Sequence, residues 1–342
     1  MQLPDFPWDR LTGAKATASA VPGGLVDLSV GTPVDPTPDV VQRALAEATD
    51  APGYPTTQGT PELREAICDW LARRAGVTMD PANVLPLIGT KEFVAWLPTL
   101  LSAGSVAFPE IAYPTYEVGA LIAGSRLGSP AELTWINSPS NPTGAVLGVE
   151  QLREAVAAPG IVASDECYFE LAWDAQPVSV LHPDVCGADH TGLLAVHSLS
   201  KRSNLAGYRS GFVAGDPALI AQLLEVRKHA GMMMPLPVQH ASTAAWLDDA
   251  HVLEQRERYS ARRAVLREAL TAAGFRIDHS QAGLYLWATR DEPCWDTVHW
   301  LAERGILVAP GDFYGSAGAR HVRVALTATD EAVQLAYDRL TG

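Results

Sequence analysis

The segment His197–Gly211, HSLSKRSNLAGYRSG, decides the fold class and the chemistry that this sequence predicts. It follows the apolar run Leu193–His197, whose length suits a buried strand. Just past that strand come the hydroxyl of Ser198 and the cations of Lys201 and Arg209. A lysine amine can form an imine with an aldehyde cofactor, and hydroxyls with a guanidinium can bind a phosphate. A single lysine is more often a solvated loop cation, so the neighbouring motifs have to decide between the two interpretations.

Short apolar runs alternate along the chain with amphipathic helical stretches, such as the stretch from Thr60 to Ala75. Such runs suit strands that are buried on both faces of a mainly parallel sheet covered by helices. The sequence therefore predicts an α/β fold. The predicted strands are Val84–Ile88, Ser105–Phe108, Leu133–Ile136, Ile161–Ala163, Leu193–His197 and Gly211–Ala214.

The residues with chemical promise each follow the carboxyl end of a predicted strand. In open doubly wound sheets the ligand site lies outside those ends, so residues that are distant in sequence are expected to converge on one crevice. These residues are Gly89, Thr90, Tyr113, Asn141, Asp165, Tyr168, Ser198 and Lys201.

Asp165 ends the apolar run in GIVASDECY. A carboxylate at a buried strand end is costly unless a cation satisfies it, and the protonated nitrogen of a pyridine ring is such a cation. Holding that nitrogen protonated would make the ring an electron sink for charge at a substrate α-carbon. The alternative is that Asp165 or Glu166 caps the next helix.

Other side chains fit the same flat, phosphorylated ligand. Tyr168 and Asn141 could donate to a phenolate oxygen, although Asn141 lies in NSPSNPTG, which is also a simple turn sequence. Tyr113 could stack on the ring, whereas a core tyrosine is the commoner role. Backbone amides at Gly89, Thr90 and Lys91, where a helix is predicted to begin, could bind phosphate oxygens.

A long helix is predicted from Val252 to Ala273, and GLYLWA, GILVAPG and HVRVAL are each predicted to be a strand of the smaller C-terminal domain. Arg323 lies in HVRVAL, and its planar fork could bind a substrate carboxylate. The alternative is an exposed strand arginine.

Length and charge restrict the class of protein. A chain of 342 residues is longer than a single hydrophobic core of usual size requires. We therefore expect an N-terminal arm (1–35), a large domain (36–225) and a small C-terminal domain (226–342).

The net charge of −14 argues against nucleic acid or an anionic membrane as the partner. The four cysteines form no CxxC pair, so no metal site is expected. No signal peptide or membrane span is predicted, which indicates a cytoplasmic protein.

Taken together, the motifs resemble those of the fold-type I, class I/II aminotransferases, which depend on pyridoxal 5'-phosphate. The motifs SLSKRSNLAGYRSG, NPTG, DECY, YPTY, GTKE, GYPTTQGTPELREAI and HVRVAL cover nearly the whole chain. The resemblance implies a large domain with a mainly parallel sheet and a smaller α+β domain. It also implies a homodimer with shared active sites, acting on amino acids and 2-oxo acids.

The same resemblance implies a role for each matching residue. Lys201 would be the Schiff-base lysine and proton shuttle, Asp165 the partner of the pyridine nitrogen, and Tyr168 with Asn141 the contacts of the phenolate oxygen. The remaining roles are stacking on the ring by Tyr113, phosphate binding by Gly89, Thr90, Lys91, Ser198 and Arg209 with Tyr54 from the other subunit, and substrate carboxylate binding by Arg323 with Gly31 and Asn141 nearby.

More narrowly, the openings LPDFPWDRL and LVDLSVGTPVDPTPDV are similar to N-succinyldiaminopimelate aminotransferases of the actinobacterial type. That similarity implies amino transfer between N-succinyl-LL-2,6-diaminopimelate and 2-oxoglutarate in lysine and diaminopimelate synthesis. The chain is shorter than such enzymes between Ala123 and Asn137 and just before Val106, which affects the distal substrate contacts. Arg126, Arg202 and Lys228 are candidates for those contacts.

Three other functions are compatible with parts of the sequence. Another class I/II aminotransferase, of the aspartate, aromatic or alanine type, would carry the same motifs. A cofactor-dependent C–S β-lyase also shares them. The effector domain of a transcription regulator is disfavoured, because the chain is acidic and the sequence indicates no added DNA-binding module.

Overall fold

The computed structural model describes residues 3–342, so Met1 and Gln2 of the expected N-terminal arm lie outside it. Strands and helices are numbered here in chain order. The strands are β1 (Val26–Asp27), β2 (Val84–Leu87), β3 (Ser105–Ala107), β4 (Arg126–Leu127), β5 (Leu133–Asn137), β6 (Ile161–Asp165), β7 (Leu193–Ser198), β8 (Gly211–Gly215), β9 (Arg276–Asp278), β10 (Tyr285–Thr289), β11 (Ile306–Leu307), β12 (Ala309–Pro310) and β13 (Val322–Ala325). The helices are α1 (Thr12–Ser19), α2 (Asp39–Glu47), α3 (Pro61–Trp70), α4 (Thr90–Leu100), α5 (Thr115–Ala123), α6 (Val149–Val156), α7 (Pro183–Cys186), α8 (Leu199–Arg202), α9 (Pro217–Ala230), α10 (Leu236–Leu247), α11 (Ala250–Ala272), α12 (Cys294–Ala302) and α13 (Asp330–Thr341).

A seven-stranded sheet in the order β2-β8-β7-β6-β5-β3-β4 forms the centre of the molecule. Strands β7, β6, β5, β3 and β4 run parallel, and β8 runs antiparallel to both of its neighbours. All six strands expected from the apolar runs are present, and the α/β fold with a mainly parallel sheet is confirmed. The short strand β4 is the only regular structure between α5 and β5 in the described chain.

Each face of this sheet carries its own hydrophobic core. Successive residues of β7 alternate between them, with Leu193 and Ala195 on one face and Leu194 and Val196 on the other. Helices α3 and α10 cover the first face, and α4 and α5 cover the second. Burial on both faces explains why these strands read as continuous apolar runs.

A smaller antiparallel sheet, β12-β13-β10-β9, lies in the C-terminal part of the chain. Its core includes α12 and α13 and also Leu11, Ala14 and Ala18 from the N-terminal region. This shared core supports the division into an arm (1–35), a large domain (36–225) and a small domain (226–342), which stays a prediction.

The expectation of one strand in GILVAPG is wrong. This segment makes two short strands in different sheets, since β11 pairs in parallel with β1 while β12 pairs with β13. The partner β1 comes from the N-terminal region, 280 residues earlier. A local apolar pattern contains no signal for such a distant partner.

Helix α11 is the longest, with 23 residues, and it begins two residues before the expected start at Val252. Its charged side chains form ion pairs with each other and with residues before it in the chain. None of the helices between residues 3 and 342 combines the length and the apolar composition that crossing a membrane requires.

Candidate active site

The predicted site residues meet at one edge of the large sheet. Register fixes this edge, because Asn137 on β5 lies beside Asp165 on β6, and Ser198 on β7 lies beside Gly211 on β8. Strand β2 is antiparallel to β8 and therefore parallel to β7, so Gly89 follows it at the same edge. Arg209 lies there as well, because antiparallel β8 begins where its neighbours end.

A cavity of about 680 Å³ opens at this edge. Most of the predicted site residues line it, namely Gly31, Thr90, Lys91, Tyr113, Asn141, Asp165, Tyr168, Ser198, Lys201, Arg209 and Arg323. Its described lining includes four cations and a single carboxylate. The site is therefore locally positive in a protein of net charge −14, which suits a ligand with several negative charges.

Lys201 lies on the short helix α8, which Ser198 caps by accepting a hydrogen bond from the Ser200 amide at 3.0 Å. The Lys201 ammonium donates to the carbonyl oxygen of Gly31. Burial lowers the pKa of Lys201, and the nearby charges of Arg323 and Arg209 lower it further. An amine with a lowered pKa is more often in the neutral, nucleophilic form.

Asp165 ends β6 with its carboxylate buried. Its Oδ2 accepts a hydrogen bond from the Tyr116 hydroxyl at 2.9 Å, and its Oδ1 accepts one from the Cys167 amide at 3.2 Å. Burial raises the pKa of Asp165 despite these hydrogen bonds. Asp165 makes no ion pair within residues 3–342 and does not cap a helix, so its carboxylate is available to a cationic ligand atom.

Asn141 is held by its own neighbours. Its amide N–H donates to Asn137 Oδ1 at 2.7 Å, and its side-chain oxygen accepts from Arg323 at 3.0 Å. Its side chain therefore bonds across the site to the second sheet, beyond the role of a simple turn residue.

Two of the predicted tyrosines, Tyr168 and Tyr113, line the same cavity as Asp165. Tyr168 is buried, and its hydroxyl lies 3.2 Å from that of Tyr285. Tyr113 is half-buried at the cavity wall, where burial raises its pKa to about 12. The Tyr113 ring packs edge-on against Tyr116, with 5.9 Å between the ring centroids.

The turn before α4 ends in Gly89, and Thr90 and Lys91 begin the helix. The backbone amides of these three residues are predicted to bind phosphate oxygens. Gly89 has a φ of +90°, which favours glycine, and a Cβ at this position would overlap the guanidinium of Arg209. No side chain caps the start of α4, so the first amides of that helix are free to bind an anion. Arg209 is held by donating to the Ala206 carbonyl at 2.7 Å.

Arg323 is 3% exposed, which excludes the interpretation as a solvated strand arginine. It donates to the Ser29 carbonyl at 2.8 Å and lies 3.9 Å from the centroid of the Tyr285 ring. Its Nε has no partner among the described residues. Since Arg323 also lines the cavity, its guanidinium is placed to bind a carboxylate there.

Several predicted residues lie elsewhere. Gly89 is behind Arg209 and does not line the cavity, and Tyr54 is 98% exposed on the outer surface. The suggestion that Arg202 contacts the distal end of a substrate is wrong for this subunit, because Arg202 is buried in an ion pair with Glu170. Arg126 and Lys228 do not line the cavity either.

The sequence interpretation missed Tyr116, Tyr285, Phe6 and Trp8. Tyr285 is in GLYLWA, and Tyr116 is the second tyrosine of YPTY, so both lay in recognised motifs. Phe6 and Trp8 line the cavity from the N-terminal segment, more than 20 residues before Gly31 and far from the strand-end motifs of the large domain. Its unusual aromatic content was the one available signal.

The arrangement brings together an amine, a buried carboxylate, a cluster of anion donors and a second guanidinium. An amine can bond to an aldehyde, and a carboxylate can hold a ring nitrogen protonated. The site can therefore hold a phosphorylated heterocyclic aldehyde at one end and a carboxylate-bearing substrate at the other.

Comparison with known proteins gives the same family as the motifs. Residues 24–131 and 125–340 match the family described as aminotransferase class I and II. The two stretches overlap at residues 125–131, inside the segment that is short in this sequence.

Two curated relatives and one solved structure are similar over nearly the whole chain. A Mycobacterium tuberculosis protein named "probable aminotransferase" is 64% identical, over 99% of this chain and 85% of its own length. A Streptomyces rimosus 4-dedimethylamino-4-oxo-anhydrotetracycline transaminase is 59% identical over 99% of both chains. The solved Thermus thermophilus "probable N-succinyldiaminopimelate aminotransferase" is 28% identical, with a TM-score of 0.87, over 98% of this chain and 99% of its own.

Proposed function

The chain belongs to the class I and II aminotransferases, and from that premise we propose that it exchanges an amino group between N-succinyl-LL-2,6-diaminopimelate and 2-oxoglutarate. Its cofactor is pyridoxal 5'-phosphate. The observation that carries the proposal is that Lys201, Asp165, Arg209 and Arg323 line one cavity.

The residues present fit this cofactor. The buried carboxylate of Asp165 has no cationic partner in the described chain, and the uncapped start of α4 faces the same cavity as Arg209. When bound, the cofactor withdraws electrons from the substrate α-carbon through its protonated ring. Asp165 would hold the ring nitrogen, while Thr90, Lys91, Ser198 and Arg209 would bind the phosphate.

Lys201 would perform the proton transfer. Its amine would hold the cofactor through the aldehyde carbon and, once free, would carry a proton to and from the substrate α-carbon. The lowered pKa of Lys201 favours the neutral amine that this role needs. Tyr168 and Asn141 would hold the phenolic oxygen, and Tyr113 would stack on the ring.

Arg323, with Gly31 and Asn141 near it, would bind the α-carboxylate of the substrate. The distal end would then extend towards Lys91 and Phe6. The Lys91 ammonium lies 5.7 Å from the centroid of the Phe6 ring and makes no ion pair in the described chain. Its backbone amide would serve the phosphate, which leaves the ammonium for a distal carboxylate such as that of a succinyl group.

The apolar lining of the cavity favours a second candidate substrate. Phe6, Trp8, Val94 and Val118 form a wall that could contact a polycyclic ketone. The relative that is 59% identical is named for amino transfer to such a ring system. Other aminotransferase substrates and C–S β-elimination remain alternatives to be separated by experiment.

A panel of half-reactions tests the substrate directly. The cofactor-loaded protein is mixed with N-succinyl-LL-2,6-diaminopimelate, glutamate, aspartate, alanine, an aromatic amino acid or cystathionine, and the absorbance of the cofactor is followed. We expect the first two compounds to bleach it fastest. A response to neither would contradict the proposed substrates, and release of pyruvate and ammonia from cystathionine would favour the lyase.

We also propose a cytoplasmic homodimer that shares its active sites. Tyr54 is 98% exposed, which is unusual for a tyrosine, and a partner subunit would cover it. In such a dimer, Tyr54 would reach the phosphate in the partner's cavity.

A further inference from the structure

Tyr285 begins β10 and presents its side chain to the cavity, where it is 4% exposed. Its hydroxyl lies 3.2 Å from that of Tyr168. Its ring lies under the guanidinium of Arg323. Tyr285 therefore contacts both the residue proposed for the phenolic oxygen of the cofactor and the residue proposed for the substrate carboxylate.

Gly31 fixes the Tyr285 hydroxyl from a third side. A Cβ at position 31 would overlap the hydroxyl oxygen of Tyr285, so the backbone of Gly31 packs directly against it. The carbonyl oxygen of Gly31 accepts a hydrogen bond from Lys201. The hydroxyl is thus held between Gly31 and Tyr168, while the Arg323 guanidinium lies over the ring.

The two hydroxyls share one hydrogen bond, and each has only one proton to donate. If Tyr168 donates its proton to the cofactor, its own oxygen needs a donor, because a buried oxygen without a partner is costly. The hydroxyl of Tyr285 is within reach of it. Donation to the Tyr168 oxygen would polarise Tyr168 and make it a stronger donor.

We propose that Tyr285 is a positioning residue whose hydroxyl donates to Tyr168 and so strengthens the hydrogen bond from Tyr168 to the phenolic oxygen of the cofactor. This inference rests on the proposed role of Tyr168.

The charges around the pair agree with this direction of donation. Burial raises the pKa of Tyr168 well above its ordinary value. Burial also acts on Tyr285, but the charges of Arg323 and Lys201 outweigh it, so the pKa of Tyr285 is lowered. Positive charge beside a hydroxyl makes its proton a better hydrogen-bond donor, and both of these cations act on Tyr285. The titratable groups that face Tyr285 are Arg323, Lys201, Tyr168, Tyr113, Tyr259 and Tyr314.

The test is the pH midpoint of the visible absorbance of the cofactor bound to Lys201, measured without substrate. A hydrogen bond to the negatively charged phenolic oxygen stabilises the deprotonated form, so its loss raises the midpoint. We expect Tyr168→Phe to raise the midpoint strongly and Tyr285→Phe to raise it by roughly half a pH unit. The double variant should match Tyr168→Phe alone, because Tyr285 acts through Tyr168.

Tyr314→Phe is the matched control. Tyr314 is also a buried tyrosine near Arg323, whose guanidinium carbon lies 5.0 Å from the centroid of the Tyr314 ring. The Tyr314 hydroxyl has no hydrogen-bond partner in the described chain. Its removal should leave the midpoint unchanged. If Tyr285→Phe does not fold, Tyr285→Met removes the same hydroxyl with a smaller, flexible apolar side chain.

The outcomes separate the two proposals. An unchanged midpoint in Tyr168→Phe would overturn the role of Tyr168 and this inference with it. A shifted midpoint in Tyr168→Phe, together with an unchanged one in Tyr285→Phe, would overturn the inference alone. The inference would also be overturned if the midpoint shift of the double variant equalled the sum of the two single shifts, since Tyr285 would then act independently of Tyr168.

Discussion

Asp165 is buried among neutral hydrogen-bond donors, and burial raises its pKa. A carboxyl group whose pKa is raised by folding favours the folded state most at low pH, and this contribution is lost as the pH rises through the raised pKa. In the cofactor-free protein at pH 7, its charge is therefore a cost, and the cationic ring of the cofactor would compensate for it.

For Asp165→Asn we expect a loss of transamination of at least ~100-fold, because the amide keeps the shape but cannot hold the ring nitrogen protonated. The same change should leave the cofactor-free protein at least as stable as wild type at pH 7. Turnover numbers and thermal midpoints measure the two effects. Asp189→Asn, on an exposed loop, is the control, and near-normal activity in Asp165→Asn would refute its assigned role.

The sequence predicted those site residues whose chemistry is tied to the end of a strand, such as Asp165 and Lys201. It did not predict Tyr285 or Trp8, because an aromatic residue in an apolar stretch is more often core. Only the folded chain shows that the Tyr285 hydroxyl points at Tyr168. Arg202 was misjudged for the opposite reason, since a cation beside a motif can be a buried ion-pair partner.

The turn between β2 and α4 depends on glycine at position 89. With a φ of +90° and Arg209 against it, Gly89→Ala would strain the backbone and displace the guanidinium. We expect the dissociation constant of the cofactor to rise at least ~10-fold, the equivalent of about 1.4 kcal/mol.

Fluorescence titration of cofactor-free protein with pyridoxal 5'-phosphate measures this change. Gly207→Ala is the matched control, because a Cβ there has no neighbour within 4 Å and its φ is not in the left-handed range. Equal affinities for the two variants would argue against a phosphate cradle at this turn.

Helix α11 anchors the N-terminal arm through Arg262, which bonds to Asp35 at 2.8 Å and is 4% exposed at its side chain. Burial would raise the pKa of Asp35, but hydrogen bonds from Arg262 and Gln255 lower it overall. Its contribution to stability is therefore present above the ordinary pKa of 3.8 and lost as the pH falls through its folded value.

Arg262→Leu should lower the free energy of unfolding by roughly 2–4 kcal/mol at pH 7, because it leaves a largely buried carboxylate unpaired. The deficit should shrink below about pH 4, as Asp35 becomes protonated in both proteins. Urea denaturation of both proteins at pH 7 and at a pH below about 4 measures this difference in the free energy of unfolding. Arg258→Leu, in an exposed pair on the same helix, should cost no more than about 0.5 kcal/mol, and equal losses at both positions would contradict this account.

Among the elements, strands buried on both faces were predictable because their composition is nearly all apolar. The pair β1–β11 was not, since two residues make too short a pattern and their partner lies far along the chain.

At the level of the whole protein, net charge indicated the class of partner but not the charge of the site, where the cations outnumber the carboxylate. The distal substrate contacts were not predictable either. In the proposed complex they would come from the N-terminal segment, from α4 and from a second subunit, so no single motif contains them.

Shared active sites predict complementation between two defective subunits. Lys201→Ala and Tyr54→Ala proteins should each be weakly active, and refolding them together should restore up to roughly a quarter of wild-type sites in a symmetric dimer. The restored activity is measured as the transamination rate of the co-refolded mixture, compared with the rate of each variant refolded alone. A mixture with only the average of the two activities would contradict sharing. Tyr337→Ala in place of Tyr54→Ala is the control, because Tyr337 is a surface tyrosine bonded to Glu268.

The attachment of the cofactor to Lys201 is the central claim, and the chain contains only four lysines, Lys15, Lys91, Lys201 and Lys228. Borohydride reduction of the cofactor-loaded protein, followed by digestion and mass spectrometry, identifies the modified lysine. We expect a stoichiometric pyridoxyl group on Lys201 and none on the other three. Modification of another lysine, or of none, would contradict it.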